Sequence, residues 1–319
     1  MTITIVPEWY ADLLRHLEIF FPDTLPLYNL VWGKFNKDLP WNGIEFVADR
    51  WPQPRVVLCR PLQEVLRCGR RGYACRQVCP YTITIWSSDD NILREMLQHH
   101  KTIEWDQEIM FHGLSCPSPL ETVNAVCQNL GSTTGSDESW CTDVYELKSE
   151  NLPVCSTDLP SGFVLTTLTQ KYADQINSEW YYGGGTATRE YLLDILDPNR
   201  KNYPSAAVVE TASGRAVSYI LYEAEGNFAL GYTDPDYRNK GFFRIVNYSL
   251  AKTMFARGRK IIYVQVAADN DASRNTYMKL GGKRINNWKQ HWLLYTPHSL
   301  NPQDTCYHVL NFVKASQSN

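Results

Sequence analysis

No run of 18 or more apolar residues occurs in this chain of 319 residues, which argues against a transmembrane helix. Neither sign of charge dominates. Lys and Arg number 31 against 34 Asp and Glu, a formal net charge of −3, so no global basic field would draw the protein to nucleic acid or to an acidic membrane. The first residues, Met1 to Trp9, hold Glu8 and no Arg, and so lack the features of a secretory signal or an Arg-rich transit peptide. No short tandem repeat is present.

What is present is the composition of a globular protein: 44% hydrophobic and 20% charged residues. The length suggests two domains rather than one, and 10 Trp, 19 Tyr and 11 Phe supply enough apolar area for two cores. Cysteines number 9, an odd count scattered through the chain, which suggests reduced thiols inside a cell, in mitochondrion or cytoplasm. Cys68, Cys75 and Cys79 cluster, but a zinc site wants four ligands in short-spaced pairs. His112 and Cys116 could be recruited only on paper, so the cluster reads as free thiols in and near a loop, and no metal is expected.

Residues Pro7 to Phe20 read as an amphipathic helix with Tyr10, Leu13, Leu14 and Leu17 on one face. Strand-like segments follow at Leu27–Val31, Ile44–Val47 and Arg55–Leu58, then Tyr81–Trp86 after Pro80, with a helix at Asn91–His99. Arg67, Arg70, Arg71 and Arg76 read as a solvated loop, and the adjacent His99 and His100 carry no assigned chemistry. The polar stretch Gly131–Glu138 reads as a linker or exposed loop, and Lys148–Gly162, with Pro153 and Pro160, as a second. The domain boundary falls within Gly131–Gly162. The expected division is a first domain over 1–150, a second over 160–298 and a tail over 299–319.

The second half is better patterned. Phe163–Leu165 begins a strand, and Thr169 is placed to cap a helix carrying Tyr172, Ile176 and Trp180. Gly183, Gly184 and Gly185 break it, and a second helix at Thr188–Leu196 turns Leu192, Ile195 and Leu196 inward. Strands are predicted at Ala206–Val209, Ala216–Glu223 and Phe228–Thr233, joined by turns at Ser213-Gly214 and Glu225-Gly226, then a helix at Phe242–Ala256 ended by Gly258. A strand at Ile261–Val266 precedes a short helix at Ala272–Leu280 capped by Asp271, and Arg284–Tyr295 offers one or two strands more. The order is β-α-α-β-β-β-α-β-α-β.

Two junctions in that order carry chemistry. After Thr233 comes Arg238-Asn239-Lys240-Gly241-Phe242-Phe243 at the start of a helix. Backbone amides at a helix N-terminus, with the dipole behind them, favour an anion, and Gly241 lets phosphate approach the backbone closely. One strand later comes Asn270-Asp271-Ala272-Ser273-Arg274-Asn275-Thr276-Tyr277, followed by Leu280-Gly281-Gly282.

The first motif resembles the pyrophosphate loop of the GNAT acyltransferases, [Arg/Gln]-x-x-Gly-x-[Gly/Ala], with Phe243 departing from its last position. The second is similar to their Asn-x-x-Ser/Ala-x-x-x-Tyr-x-x-x-Gly signature. The resemblance narrows to the animal glycine N-acyltransferase family through Trp180-Tyr181-Tyr182-Gly183-Gly184, Pro235-Asp236-Tyr237-Arg238 and Trp288-Lys289-Gln290-His291-Trp292. In the first half, Phe21-Pro22, Leu27-Tyr28, Val47-Ala48-Asp49-Arg50-Trp51-Pro52, Val56-Val57-Leu58-Cys59 and Ile103-Glu104-Trp105 resemble that family too. The resemblance implies an α/β (α+β) protein with a GNAT fold in its C-terminal half and a degenerate GNAT-like N-terminal half. It implies acyl-CoA as co-substrate with no permanently bound cofactor, a small amino acid such as glycine as acceptor, and a monomer. Leu230, Gly231, Tyr232 and Thr233 would line the thioester, with a backbone amide near Leu230–Tyr232 stabilising the oxyanion. Arg238 to Phe243, Asn270 and Ser273 would hold CoA, and Tyr277 would protonate the leaving thiolate.

One departure bears on the chemistry. The family's base is a Glu eleven residues ahead of the loop's first residue, and here that position is Asn227. An amide does not take a proton at neutral pH. Three readings stay open: Glu225, two positions back on a regular strand, relays the proton, with Glu223 a weaker candidate; solvent takes it while Asn227 orients the amine; or the protein only binds acyl-CoA. A GNAT transferase acting on another amine, such as a polyamine or peptide N-terminus, is the further alternative.

Overall fold

The computed structural model describes residues 2–37, 43–62, 81–99, 102–135, 141–180, 183–199, 203–223 and 225–300. The Arg67–Arg76 loop, Cys68, Cys75, Cys79, Pro80, His100, the end of the Gly131–Glu138 stretch, Tyr181 and Tyr182 lie outside them, as does the tail beyond 300. The chain forms two compact units, one of residues 1–141 and 288–319, the other of residues 142–287.

In the first unit, α1 (Tyr10–Glu18) buries Tyr10, Leu13, Leu14 and Leu17, the face its spacing predicts. The expected strand at Leu27–Val31 is instead part of helix α2 (Leu25–Phe35), in which Leu25 through Val31 are all buried. A helix buried on nearly every side has no polar face to betray its period, so a short apolar run reads equally well as a strand. The sheet runs β1 (Ile3–Thr4), β2 (Ile44–Ala48), β3 (Val56–Pro61), β4 (Thr82–Ser87), β5 (Ile109–Ser115) and the C-terminal part of β13 (Lys283–Pro297). β6 (Gly131–Thr134) pairs with β13, so the expected linker opens with a strand, held where Gly131 lies opposite Pro297. All these pairings are antiparallel except β4 with β5, which run parallel. Helix α3 (Asp90–Gln98) follows β4 and α4 (Leu120–Leu130) follows β5. Val123, Leu93 and Leu97 from these helices close a core with Ile83, Phe111 and Leu293 from the strands.

The second unit repeats this plan. Its sheet runs β7 (Cys141–Lys148), β12 (Ile261–Val266), β11 (Asn227–Thr233), β10 (Ala216–Tyr222), β9 (Ser205–Glu210) and β8 (Phe163–Thr166). Again one pair is parallel, β11 with β12, among antiparallel neighbours. Helices α5 (Ala173–Glu179) and α6 (Thr186–Ile195) precede β9, α7 (Phe242–Ala256) follows β11, and α8 (Asp271–Lys279) follows β12. Each unit therefore places one parallel pair inside an otherwise antiparallel sheet, with a helix leaving each of its strands, as the GNAT resemblance implies.

Cap details differ from the sequence reading. Thr169 starts a 3₁₀ turn (Gln170–Tyr172) ahead of α5, but its side chain makes no capping bond. The cap of α8 is Asn270 rather than Asp271, its Oδ1 accepting from the Ser273 N–H at 3.1 Å. Arg284–Tyr295 lies in one continuous strand. No helix among the described residues is long and apolar enough to cross a membrane, and no cluster of three His, Cys, Asp or Glu among them could hold a metal ion.

Candidate acyl-CoA site

The parallel pair of the second unit opens along its length. β11 and β12 pair at Asn227 with Tyr263 and at Phe228 with Val264, and no further. Gln265 and Val266 pair only with Val144 and Asp143 on the other side, so the strands diverge from Ala229 onward. Leu230 sits at a φ of 54°, in the left-handed region that a branched side chain occupies at a cost of about 1–2 kcal/mol. Opposite it, the β10–β11 register shifts between Tyr219 and Leu221. The kink leaves Leu230 and Gly231 without a register partner on β10, and from Ala229 onward β11 has none on β12. This is a wedge lined by backbone, suited to an extended chain bearing amides and a thioester.

At the open end of the wedge stands the N-terminus of α7. After Thr233 the chain makes a 3₁₀ turn, Pro235–Tyr237, which the Asp234 carboxylate caps by accepting from Asp236 N–H at 3.0 Å. The Arg215 guanidinium clamps Asp234 at 2.8 Å and Glu179 at 2.7 Å, tying this turn to the end of α5. Asn239 at φ 64° and Gly241 at φ 81° then reverse the backbone into the helix. The first amides of a helix lack intrahelical acceptors, and Gly241, as N-cap, brings no side chain to fill them. A Cβ on Gly241 would meet nothing within 4 Å, so the space beside this residue is open. Arg238 and Lys240 are exposed beside it, and Lys240 lies 4.7 Å over the Tyr237 ring. The arrangement is an uncapped positive pole flanked by two cations, and it suits a pyrophosphate.

Phe243, the residue that departs from the loop motif, has a structural partner. A Cβ on Gly231 would lie 3.0 Å from the Phe243 ring and 2.7 Å from Ile220 Cδ1, so the ring covers the glycine at the kink. Phe242 is buried at 1% exposure and its ring lies 5.0 Å from that of Phe163.

The equivalent pole in the first unit is closed. There Asp89 caps α3, accepting from the amides of Asn91 at 3.1 Å and Ile92 at 3.2 Å, and Asp90 adds a second negative charge in the first turn. A carboxylate occupies the position a phosphate would need, which gives a physical meaning to the degeneracy of this half.

Tyr277 is buried on α8, and burial pushes its phenol pKa above the ordinary range, so the proton stays on at neutral pH. Ser273 and Asn270 stand at the N-terminus of the same helix, engaged with each other.

The acid–base residues are arranged differently from the sequence reading. Glu225 sits, fully buried, in the turn expected at Glu225-Gly226 and not on a strand face, with Gly226 N–H donating to Glu223 C=O at 2.9 Å. The spacing of a regular strand therefore does not apply. The carboxylate that meets Asn227 is that of Glu223, whose Oε2 accepts from Asn227 Nδ2 at 3.3 Å. Its Oε1 accepts from the Tyr191 hydroxyl on α6 at 3.0 Å. Glu223 and Asn227 are both buried, and Asn227 Oδ1 has no hydrogen-bond partner among the described residues. Sequence spacing could not bring Tyr191 to this pair, because its position depends on how α6 lies against the sheet. The Arg215 clamp escaped notice for the same reason.

Residues 10–198 match the family model described as aralkyl acyl-CoA:amino acid N-acyltransferase, and residues 207–293 match that of FR47-like protein. Glycine N-acyltransferase of Mus musculus is 24% identical over 80% of this chain and 87% of its own length. Glycine N-phenylacetyltransferase of Bos taurus is 23% identical, covering 77% of this chain and 82% of its own. Among solved structures, a Drosophila protein superimposes with a TM-score of 0.70 at 16% identity, covering 93% of this chain and 99% of its own. A GCN5-related N-acetyltransferase from Sphaerobacter thermophilus gives 0.53 at 10% identity, covering 96% and 98%. With its two GNAT-like units and more than half its length inside the first of these family models, the chain belongs to the aralkyl acyl-CoA:amino acid N-acyltransferase family.

Proposed function

We propose that the protein transfers an acyl group from acyl-CoA to the amine of glycine or another small amino acid, releasing the N-acyl amino acid and CoA. The observation that carries this reading is the uncapped N-terminus of α7 standing at the mouth of the β11–β12 wedge, in a chain of this family. The pyrophosphate lies on the amides that follow Gly241, flanked by Arg238, Asn239 and Lys240. The pantetheine arm runs into the wedge past Thr233, Tyr232 and Gly231, with Asn270 and Ser273 at its α8 side.

The amino acid arrives as an ammonium and loses a proton before its nitrogen attacks the thioester carbon. Charge then develops on the carbonyl oxygen, which a backbone amide in the Leu230–Tyr232 kink stabilises. The C–S bond breaks, and the thiolate takes a proton for which Tyr277 is the donor. Attack is direct, within a ternary complex, so no cysteine nucleophile takes part. A second reading rests on Asn227: a chain with an amide where its relatives' pattern has a carboxylate binds acyl-CoA without turning it over.

The test is thiol release from acetyl-, benzoyl- and longer acyl-CoAs, with and without glycine, glutamine and spermine. Release that depends on an amino acid establishes the transferase and names the acceptor. Release with spermine alone moves the protein to another amine. Background hydrolysis only, with tight binding of acyl-CoA by calorimetry, establishes the binding protein.

A further inference from the structure

We infer that the proton acceptor for the incoming amine is Glu223, working with Asn227 as a two-residue replacement for a single carboxylate. This deepens the transferase reading and rests on it. Asn227 opens β11 at the closed end of the wedge, and its Nδ2 is committed to Glu223 Oε2. That bond fixes the amide orientation and leaves Oδ1 buried and without a partner among the described residues. A buried amide oxygen with no donor is costly unless a ligand supplies one. An ammonium is such a ligand, and the negative carboxylate behind the amide strengthens the oxygen as an acceptor.

Glu223 is itself held on both oxygens, by Tyr191 from α6 and Asn227 from β11, and its backbone N–H donates to Asn227 C=O at 3.0 Å. The side chain is therefore fixed rather than mobile. Of the titratable and charged groups nearby, Tyr191 meets it directly, Glu225 follows two residues on in the turn, Tyr263 on β12 is the register partner of Asn227, and Arg259 lies over the ring of the adjacent Tyr222. In the reaction one ammonium proton passes to the Glu223 carboxylate, giving a neutral amine held at Asn227 Oδ1 and a protonated Glu223. The amine nitrogen forms its bond to the acyl carbon. Tyr277 gives its proton to the sulfur as the C–S bond breaks, the second proton on that nitrogen restores the Tyr277 hydroxyl, and Glu223 returns its proton to solvent.

Glu223→Gln keeps the shape of the side chain and a carbonyl for Asn227 but cannot take a proton. It should lower kcat about 100-fold or more, leave the calorimetric Kd for acyl-CoA unchanged, and abolish the acid limb of the pH–rate profile. The double variant Glu223→Gln/Asn227→Glu, which restores a carboxylate one side chain away, should recover most of the lost rate and the acid limb with it. Tyr191→Phe removes the hydrogen bond that holds Glu223 Oε1 while leaving the carboxylate and Asn227 in place, so kcat should fall with the Kd for acyl-CoA unchanged. This milder variant gives a readout should the Gln variant fail to fold.

Wild-type turnover with kcat and pH profile unaltered in Glu223→Gln overturns the assignment, as does a fall in rate that the double variant does not recover. A large loss in Glu225→Gln with Glu223→Gln unaffected moves the role to Glu225. Absence of wild-type turnover with every amine overturns the transferase reading and this inference with it.

Discussion

Gly231 and Phe243 are twelve positions apart in sequence and form one contact, between a missing side chain and a ring. Neither residue alone is informative; together they explain why the loop motif departs from its usual small residue at Phe243. Gly231→Ala would place a methyl 2.7 Å from Ile220 Cδ1 and 3.0 Å from the ring, too close for either to remain where it is. Thermal denaturation should show a loss at or below the low end of overpacked sites, about 1 kcal/mol, because the Ile220 methyl that must move is the end of a flexible side chain. Phe243→Leu in the same chain should recover part of it, a coupling that a double-mutant cycle reads directly. Gly241 answers to a different constraint. A side chain there meets open space but an unfavourable φ of 81°. Gly241→Asp adds a like charge where we propose the pyrophosphate lies, and its acyl-CoA affinity should fall about 100-fold by calorimetry. An unchanged affinity would remove the pyrophosphate from this helix. The glycine, the cations and Tyr277 form a spaced motif in the sequence, and their role toward CoA is the proposal made above. The Glu223–Asn227–Tyr191 contact was not legible there, because it joins a strand end, a strand start and a helix through side chains that no local period relates.

Helix boundaries in the second unit were readable because α7 has distinct faces and glycines at both ends, Gly241 and Gly258, each at positive φ. α2 was not, since it is surrounded by apolar neighbours and loses the polar face on which helical period depends. The strand Gly131–Thr134 was hidden for the opposite reason: its Ser and Thr residues carry a turn composition, and only pairing with the end of β13 makes them extended. The most telling comparison is between α3 and α7. They occupy equivalent places in the two repeats, yet one N-terminus is stoppered by Asp89 and the other is left bare. Asp89→Ala should cost the first unit about 1 kcal/mol, as for other lost N-caps, in a denaturation experiment. The same variant should leave the affinity for acyl-CoA at α7 as it was; a weaker affinity would implicate the first unit in CoA binding.

For the molecule as a whole, the β-α-α-β-β-β-α-β-α-β order read from the second half holds, and the repeat in the first half follows the same plan. Length and aromatic content pointed to two cores, and there are two units. What composition cannot convey is the path of the chain between them. The first unit is not one stretch of sequence: Trp288 to Pro297 return to it, and Leu294 to Pro297 pair with β6 while Gln290 to Tyr295 pair with β5. Leu293 and Tyr295 of that strand are among its buried core residues.

That path sets an order of events during synthesis. The residues that begin the first unit emerge from the ribosome first, yet the strand that pairs with both β5 and β6 emerges after the whole of the second unit has been made. A nascent chain stalled at residue 287 holds every residue of the second unit and an unfinished sheet in the first, with the ladder edge of β5 uncovered. Such a chain should be cut by protease within residues 1–141 far faster than a chain released at full length, and a chaperone that shields exposed strand edges should slow that cutting.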